Sequence, residues 1–109
     1  MTQTEYLNQN IFQDLTNLND GFDKEEKQHF SPSQFEKIMA RVEKEGLGIY
    51  TLECWKEGAL VDAANHESFK KKATNSSWYQ KAFLTFKMRH EECTFTADFK
   101  VSKKLLGKY

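Results

Sequence analysis

The chain predicts an α+β fold, with two N-terminal helices packed on one face of a four-stranded, mainly antiparallel sheet. Apolar residues first recur at helical spacing, and from Ile49 onward the period falls to two. Helical segments precede strand segments rather than alternating with them, which argues against a doubly wound α/β arrangement. With 109 residues, 39% hydrophobic and 29% charged, residues 1–109 read as a single globular domain.

The first helix is expected from about Thr2 to Leu18. Leu7, Ile11, Leu15 and Leu18 follow at spacings of four, four and three, which marks one helical face. Thr2 with Glu5 forms a capping-box pattern, and Asn19-Asp20-Gly21 supplies a stop. Residues 22–30 form a charged connector whose two ends Phe22 and Phe30 could pin. A second helix opens at Ser31, with Pro32 in its first turn and Gln34 able to reach back to the cap. Phe35, Ile38, Met39 and Val42 are its apolar stripe, and Gly46 and Gly48 close it.

Strands are expected at Ile49–Trp55 and Ala59–Ala63, joined by a tight turn at Lys56-Glu57-Gly58. Residues 64–77 are polar, contain a lysine triplet and read as an exposed loop. From Trp78 to Met88 the even positions are nearly all apolar, which predicts a third strand. Cys93, Phe95, Ala97, Phe99 and Val101 alternate with Thr94, Thr96, Asp98 and Lys100, giving a fourth strand with one buried and one wet face. Ser102 to Tyr109 is read as a half-turn of helix or a frayed end.

Formal net charge is zero, whereas a protein that grips phosphates usually carries a positive excess. The charges are unevenly spread. Residues 1–69 hold 13 acidic and 6 basic side chains, and residues 70–109 hold 3 and 10. Such polarity either reflects solvated faces or offers an acidic patch to a basic partner. The polar, acidic N-terminus lacks the pattern of a secretory signal, and no apolar run is long enough to span a bilayer. Two cysteines, Cys54 and Cys93, suit a reducing compartment, so a cytoplasmic location is expected.

His90 and Cys93 form one mixed pair, whereas structural zinc sites usually bring two close pairs, so no metal is expected. Both cysteines fall in an apolar strand register and read as buried thiols rather than nucleophiles. The five glycines form no phosphate-cradling pattern, and no serine sits in a nucleophile elbow. No catalytic residue, cofactor or small-molecule substrate is therefore assigned. One alternative is a nucleic-acid-binding regulator using Lys70–Lys72, with Trp78 and Tyr79 nearby for stacking.

Binding to another protein has positive support. Trp55 lies on the register opposite Tyr50, Leu52 and Cys54, where Glu53, Glu57 and Asp62 would ring it as an acidic rim. The competing reading has both sheet faces covered and Trp55 in the core.

The segment FSPSQFEKIMARVEKEGLGIYTLECW, a capped helix running through glycine into a strand, is followed by SSWYQKAFLTFKMRHEECTFTADF. Together, over roughly residues 30–100, they resemble the small immunity proteins of bacterial contact-dependent growth inhibition and related polymorphic toxin systems. In several of those families a Trp opens a late strand and a hairpin ending in a T-F-x-x-x-F-like run follows. Trp78, Phe86, Phe95 and Phe99 occupy such places here. The resemblance implies a cytoplasmic antitoxin that binds one cognate toxin domain, often a nuclease, one-to-one and occludes its active site or an essential surface. It also implies an acidic docking face toward a basic toxin, for which the candidates are Asp20, Asp23, Glu25 and Glu26, with Glu53, Glu57 and Asp62 as a second cluster.

Overall fold

The computed structural model describes residues 1–107, so Lys108 and Tyr109 of the expected tail lie outside the described residues. Its elements run α1 (Gln3–Asn10), α2 (Pro32–Lys44), β1 (Gly48–Lys56), β2 (Ala59–Asn65), α3 (Ser76–Arg89), β3 (Thr94–Lys100) and α4 (Lys103–Leu106). The architecture is α+β, but the sheet has three strands, in the order β2-β1-β3 and antiparallel throughout.

The correction falls on residues 76–89, which form helix α3 where a strand from Trp78 to Met88 was expected. Trp78, Tyr79, Ala82, Phe83 and Phe86 are buried, a stripe at spacings of one, three, one and three that matches a 3.6-residue period. Alternating apolar positions arose because the stripe happens to include three even numbers, while Leu84 and Met88 point to solvent. Local preference agrees with the helix. Asn75 caps it by accepting the Ser77 N–H at 2.9 Å, and Thr85 is the only β-branched residue within it.

The first helix is also shorter than its stripe suggests. Thr2 and Glu5 make the reciprocal capping box at 3.2 and 3.0 Å, but α1 ends at Asn10. Asp14 then takes a left-handed φ of 65°, and the carbonyls of Ile11 and Gln13 turn to the Arg41 guanidinium at 2.9 and 2.7 Å. An arginine from α2 thus satisfies acceptors that further helix would have used. Residues 11–31 consequently form a long irregular meander before α2. That second helix matches expectation, with Ser31 accepting the Gln34 N–H and Pro32 in the first turn. The Gln34 side chain does not return to its own cap. It accepts from the Thr16 backbone at 3.0 Å and so ties down the meander.

The hairpin turn is where expected. Glu57 and Gly58 have φ of 52° and 77°, as a two-residue left-handed turn between antiparallel strands requires. A Cβ on Gly58 would also come within 3.3 Å of Phe22, so the turn rests on the meander. Gly48 permits another close approach, because a Cβ there would lie 3.1 Å from the Ala73 backbone, which accepts the Ile49 N–H. Cys93 is buried but precedes β3 rather than belonging to it.

Ile49, Leu52 and Cys54 of β1 pair with Phe99, Ala97 and Phe95 of β3, forming the buried face of the sheet. α2 and α3 cover this face, and Phe83 closes a three-ring cluster with Phe35 and Phe95 at centroid distances of 5.8 and 4.6 Å. The buried side chains form one contiguous core that also takes in Tyr6, Leu7 and Ile11. Within it the Tyr79 hydroxyl and the Trp78 indole N–H have no hydrogen-bond partner, and burial pushes the Tyr79 phenol up to about 12, with Glu43 adding to the shift. An unpaired buried hydroxyl costs about 1–3 kcal/mol.

Two outcomes follow for urea unfolding. Phe83→Ala lowers the free energy of unfolding by about 3–5 kcal/mol, while Met88→Ala changes it by less than about 0.5 kcal/mol, the contrast a helix demands and an even-numbered strand face does not. Tyr79→Phe raises stability by about 1 kcal/mol, since it removes the unpaired hydroxyl and keeps the ring.

Candidate functional site

The second face of the sheet carries Thr51, Glu53 and Trp55 of β1, flanked in register by Thr96 and Thr94 of β3 and by Leu60 and Ala63 of β2. It was expected to stand open. Instead, the meander folds over its β1–β3 half. Phe30 exchanges two backbone hydrogen bonds with Phe95 along the outer edge of β3, and Thr96 Oγ1 donates to the Gln28 carbonyl at 2.7 Å.

Asparagines give this irregular segment its shape. Asn19 Oδ1 accepts from the backbones of Gly21 and Asp23 at 3.0 and 3.1 Å, while its amide donates to the Lys27 carbonyl at 2.9 Å. Asn17 Oδ1 accepts the His29 N–H at 3.0 Å. These bonds do in side chains what a helix or sheet ladder does in backbone. They bring Asp23 to His29, whose Nε2 lies 2.6 Å from Asp23 Oδ2 with both residues buried. The imidazole meets Phe22 and Trp55 edge-on at 4.7 and 5.0 Å. Burial pushes the Asp23 carboxyl up, but hydrogen bonds from His29 and from the Glu25 backbone, together with Lys27, hold it below the usual value.

A second clamp is built on Lys27. Its ammonium lies 3.1 Å from Glu25, 3.3 Å from Asp98 and 3.6 Å from Glu53. Burial works against this charge, but the hydrogen bond to Glu25 and the carboxylates of Asp98 and Glu53 hold the lysine above its ordinary value. Glu53 also accepts the Trp55 indole N–H at 3.0 Å, so the tryptophan is half-buried and fixed in orientation.

Placed on this frame, the expected site residues separate. Asp23 is buried and structural. Glu53 and Glu25 are engaged by Lys27, with Glu25 still exposed. Asp20, Glu26 and Glu57 are exposed and have no cationic partner among the described residues; Lys24 and Lys56 are the neighbouring cations in sequence. Phe22, close in sequence to Asp20, packs on Trp55 at 5.8 Å and against the Glu57-Gly58 turn. Glu25 and Glu26 instead lie with α1 and the Asp98–Phe99 end of β3, while the apolar Leu60, 51% exposed, stands opposite Trp55 on the adjoining strand.

Asp62 lies elsewhere. A bulge leaves Val61 without a partner in β1, so Asp62 pairs with buried Cys54 and faces the α3 side. Its Oδ2 lies 3.2 Å from His90 Nε2 and 3.4 Å from Arg89 Nη1, and its Oδ1 accepts the Ala63 N–H at 3.1 Å. What the residue reading missed was the Lys27 and His29 pair of clamps. The positive charge and the imidazole inside an acidic run were their only visible signal.

The remaining chemistry is spare. Both cysteines are buried, and desolvation raises the Cys54 thiol well above its usual range, with Cys93 and Asp62 adding to it. Among the described residues no group of three potential metal ligands converges, and no helix is long and apolar enough to cross a membrane. Lys70–Lys72 are exposed, but Trp78 and Tyr79 are 1% and 0% exposed and present no ring for base stacking. No protein-family model, curated protein or solved structure matches the chain.

The clamp has a signed pH dependence. A carboxyl depressed in the folded state adds stability above the ordinary aspartate value of about 3.9, and that contribution is lost as pH falls through the lower folded value. Asp23→Asn is expected to cost about 3 kcal/mol near neutral pH, because it leaves His29 buried against a neutral amide. In urea titrations the gap between variant and parent should shrink below about pH 4; a gap unchanged in acid would show that the carboxylate charge contributes nothing.

Proposed function

We propose that this protein is an immunity protein that binds a basic toxin domain one-to-one and occludes an essential surface, docking through the acidic face built by the meander and the β1–β2 turn. The observation that supports it is the exposed, unbridged charge of Asp20 and Glu57, each close in sequence to a residue of the Phe22–Trp55–Leu60 ledge. Carboxylates without local partners steer a basic surface toward them, and an aromatic and aliphatic floor supplies the desolvated centre that holds it. The clamps matter because they hold this face in shape before a partner arrives, which lowers the ordering cost of binding. The resemblance of residues 30–100 to immunity proteins gives the class of partner, and a nuclease fits because its substrate-gripping surface is basic.

The test is a binding titration against a basic toxin domain recovered with this protein by pull-down from its source cell. Asp20→Lys with Glu57→Lys leaves the fold unchanged, slows association about tenfold or more and reduces its salt dependence. Association at an unaltered rate in the double variant would remove this face from the interaction.

A further inference from the structure

Lysines gather at the end of the sheet where β1 begins and β3 finishes. Lys100 pairs with Gly48 across the β1–β3 ladder. On the other edge of β1, the Ala73 carbonyl accepts the Ile49 N–H at 3.0 Å, which seats the Lys70–Lys72 loop beside the strand. Loop and Lys100 therefore stand two strand spacings apart, about 10 Å. Lys103 and Lys104 follow in α4. All six lysines are exposed, and among the described residues none forms an ion pair, unlike Lys27 and Lys87. Glu67 in the loop and Glu45 at the end of α2 are the neighbouring carboxylates in sequence. The zero net charge of the chain thus conceals a local positive excess.

An aromatic ring lies in the same place. A register shift between Ile49 and Thr51 leaves Tyr50 without a partner in β3, and its carbonyl accepts the His66 N–H at 3.2 Å. Tyr50 is 44% exposed, and its ring meets the His66 imidazole at 6.1 Å. His66 Nδ1 lies 2.8 Å from the Lys71 carbonyl, while the His66 carbonyl accepts the Lys71 N–H at 3.1 Å. One histidine therefore ties the exposed ring to the lysine loop. Leu105 and Leu106 of α4 pack against the core, and Phe69 packs on Trp78 at 5.7 Å. Apart from Tyr50, this end offers a bilayer no large apolar side chain to insert.

We infer that this basic end binds single-stranded nucleic acid, its lysines against the phosphates and Tyr50 against a base. Free ammonium groups on both sides of a strand follow a backbone, and an exposed ring accepts any base whose face is open. A duplex keeps those faces covered, so the strand is single. With three or four phosphates in reach, roughly, binding is weak and sensitive to salt. β1 is nine residues long and carries this surface about 26 Å from the β1–β2 turn. It shares no residue with the acidic docking face, so the two are tested separately.

Fluorescence anisotropy of a labelled oligothymidylate of about 20 nucleotides, titrated with the full chain at about 25 mM salt, provides the test. The dissociation constant should be micromolar, and the logarithm of affinity should fall with that of salt at a slope of about −2 to −3. Lys71→Glu with Lys103→Glu should weaken binding about tenfold or more at an unchanged melting temperature, whereas Lys37→Glu with Lys81→Glu, the same charge change on α2 and α3, should leave it within about twofold. Tyr50→Ala should weaken it about fivefold and Tyr50→Phe should not, while neither alters retention of inorganic polyphosphate. No binding by the parent overturns the inference, as does equal loss in the two lysine pairs or an oligothymidylate affinity indifferent to Tyr50→Ala. Capture of phosphatidylserine vesicles or polyglutamate without the oligothymidylate overturns it as well.

Discussion

A buried carboxylate–imidazole contact of 2.6 Å fastens the longest irregular stretch of this molecule to its sheet. The meander from residue 11 to residue 31 has no ladder of its own, so its course is set by a few polar side chains acting on backbone. Asp23 and His29 lie at the centre of that scheme. Without them, Phe22 would have no fixed seat on Trp55 and the β1–β2 turn would lose the surface against which Gly58 is packed. Lys27 then completes the frame by drawing Glu25, Glu53 and Asp98 from three parts of the chain to one ammonium.

Much of the fold was legible in the residues, and the two failures have separate causes. α2, the capping box of α1, the Glu57-Gly58 turn and the position of β3 follow from local rules, although the face of β3 expected to be wet is partly covered, with Thr96 buried. α3 was misread because Tyr79 and Phe83 are as apolar as the even-numbered residues around them. The full set 78, 79, 82, 83 and 86 fits a helix, while the partial set 78, 82 and 86 fits a strand as well. The α1 stripe failed for a different reason: Arg41, thirty residues downstream of Ile11, claims the carbonyls needed to prolong it. No local pattern announces a contact of that range.

The candidate site was legible in composition and not in placement. Trp55 and an acidic rim were visible, but one unpaired residue in β2 turns Asp62 to the other side of the sheet. Asp23 carries the right charge for a rim and is buried as an anchor. The uneven distribution of charge along the chain also acquires a spatial meaning. Acidic residues of the first half furnish the meander and hairpin, while the basic second half supplies the outward side of α3.

The bulge that displaces Asp62 has another consequence. β2 is a bare margin of the sheet, rich in alanine and nearly free of charge, the kind of strand along which chains stack into fibrils. Turned by the bulge, Asp62 spends one oxygen on the amide of Ala63 and the other on the end of α3. An amide already answered by its neighbour's carboxylate recruits no foreign carbonyl, and a kinked strand offers no straight template. The irregularity that misled the reading of the site thus makes this edge a poorer template for a foreign strand.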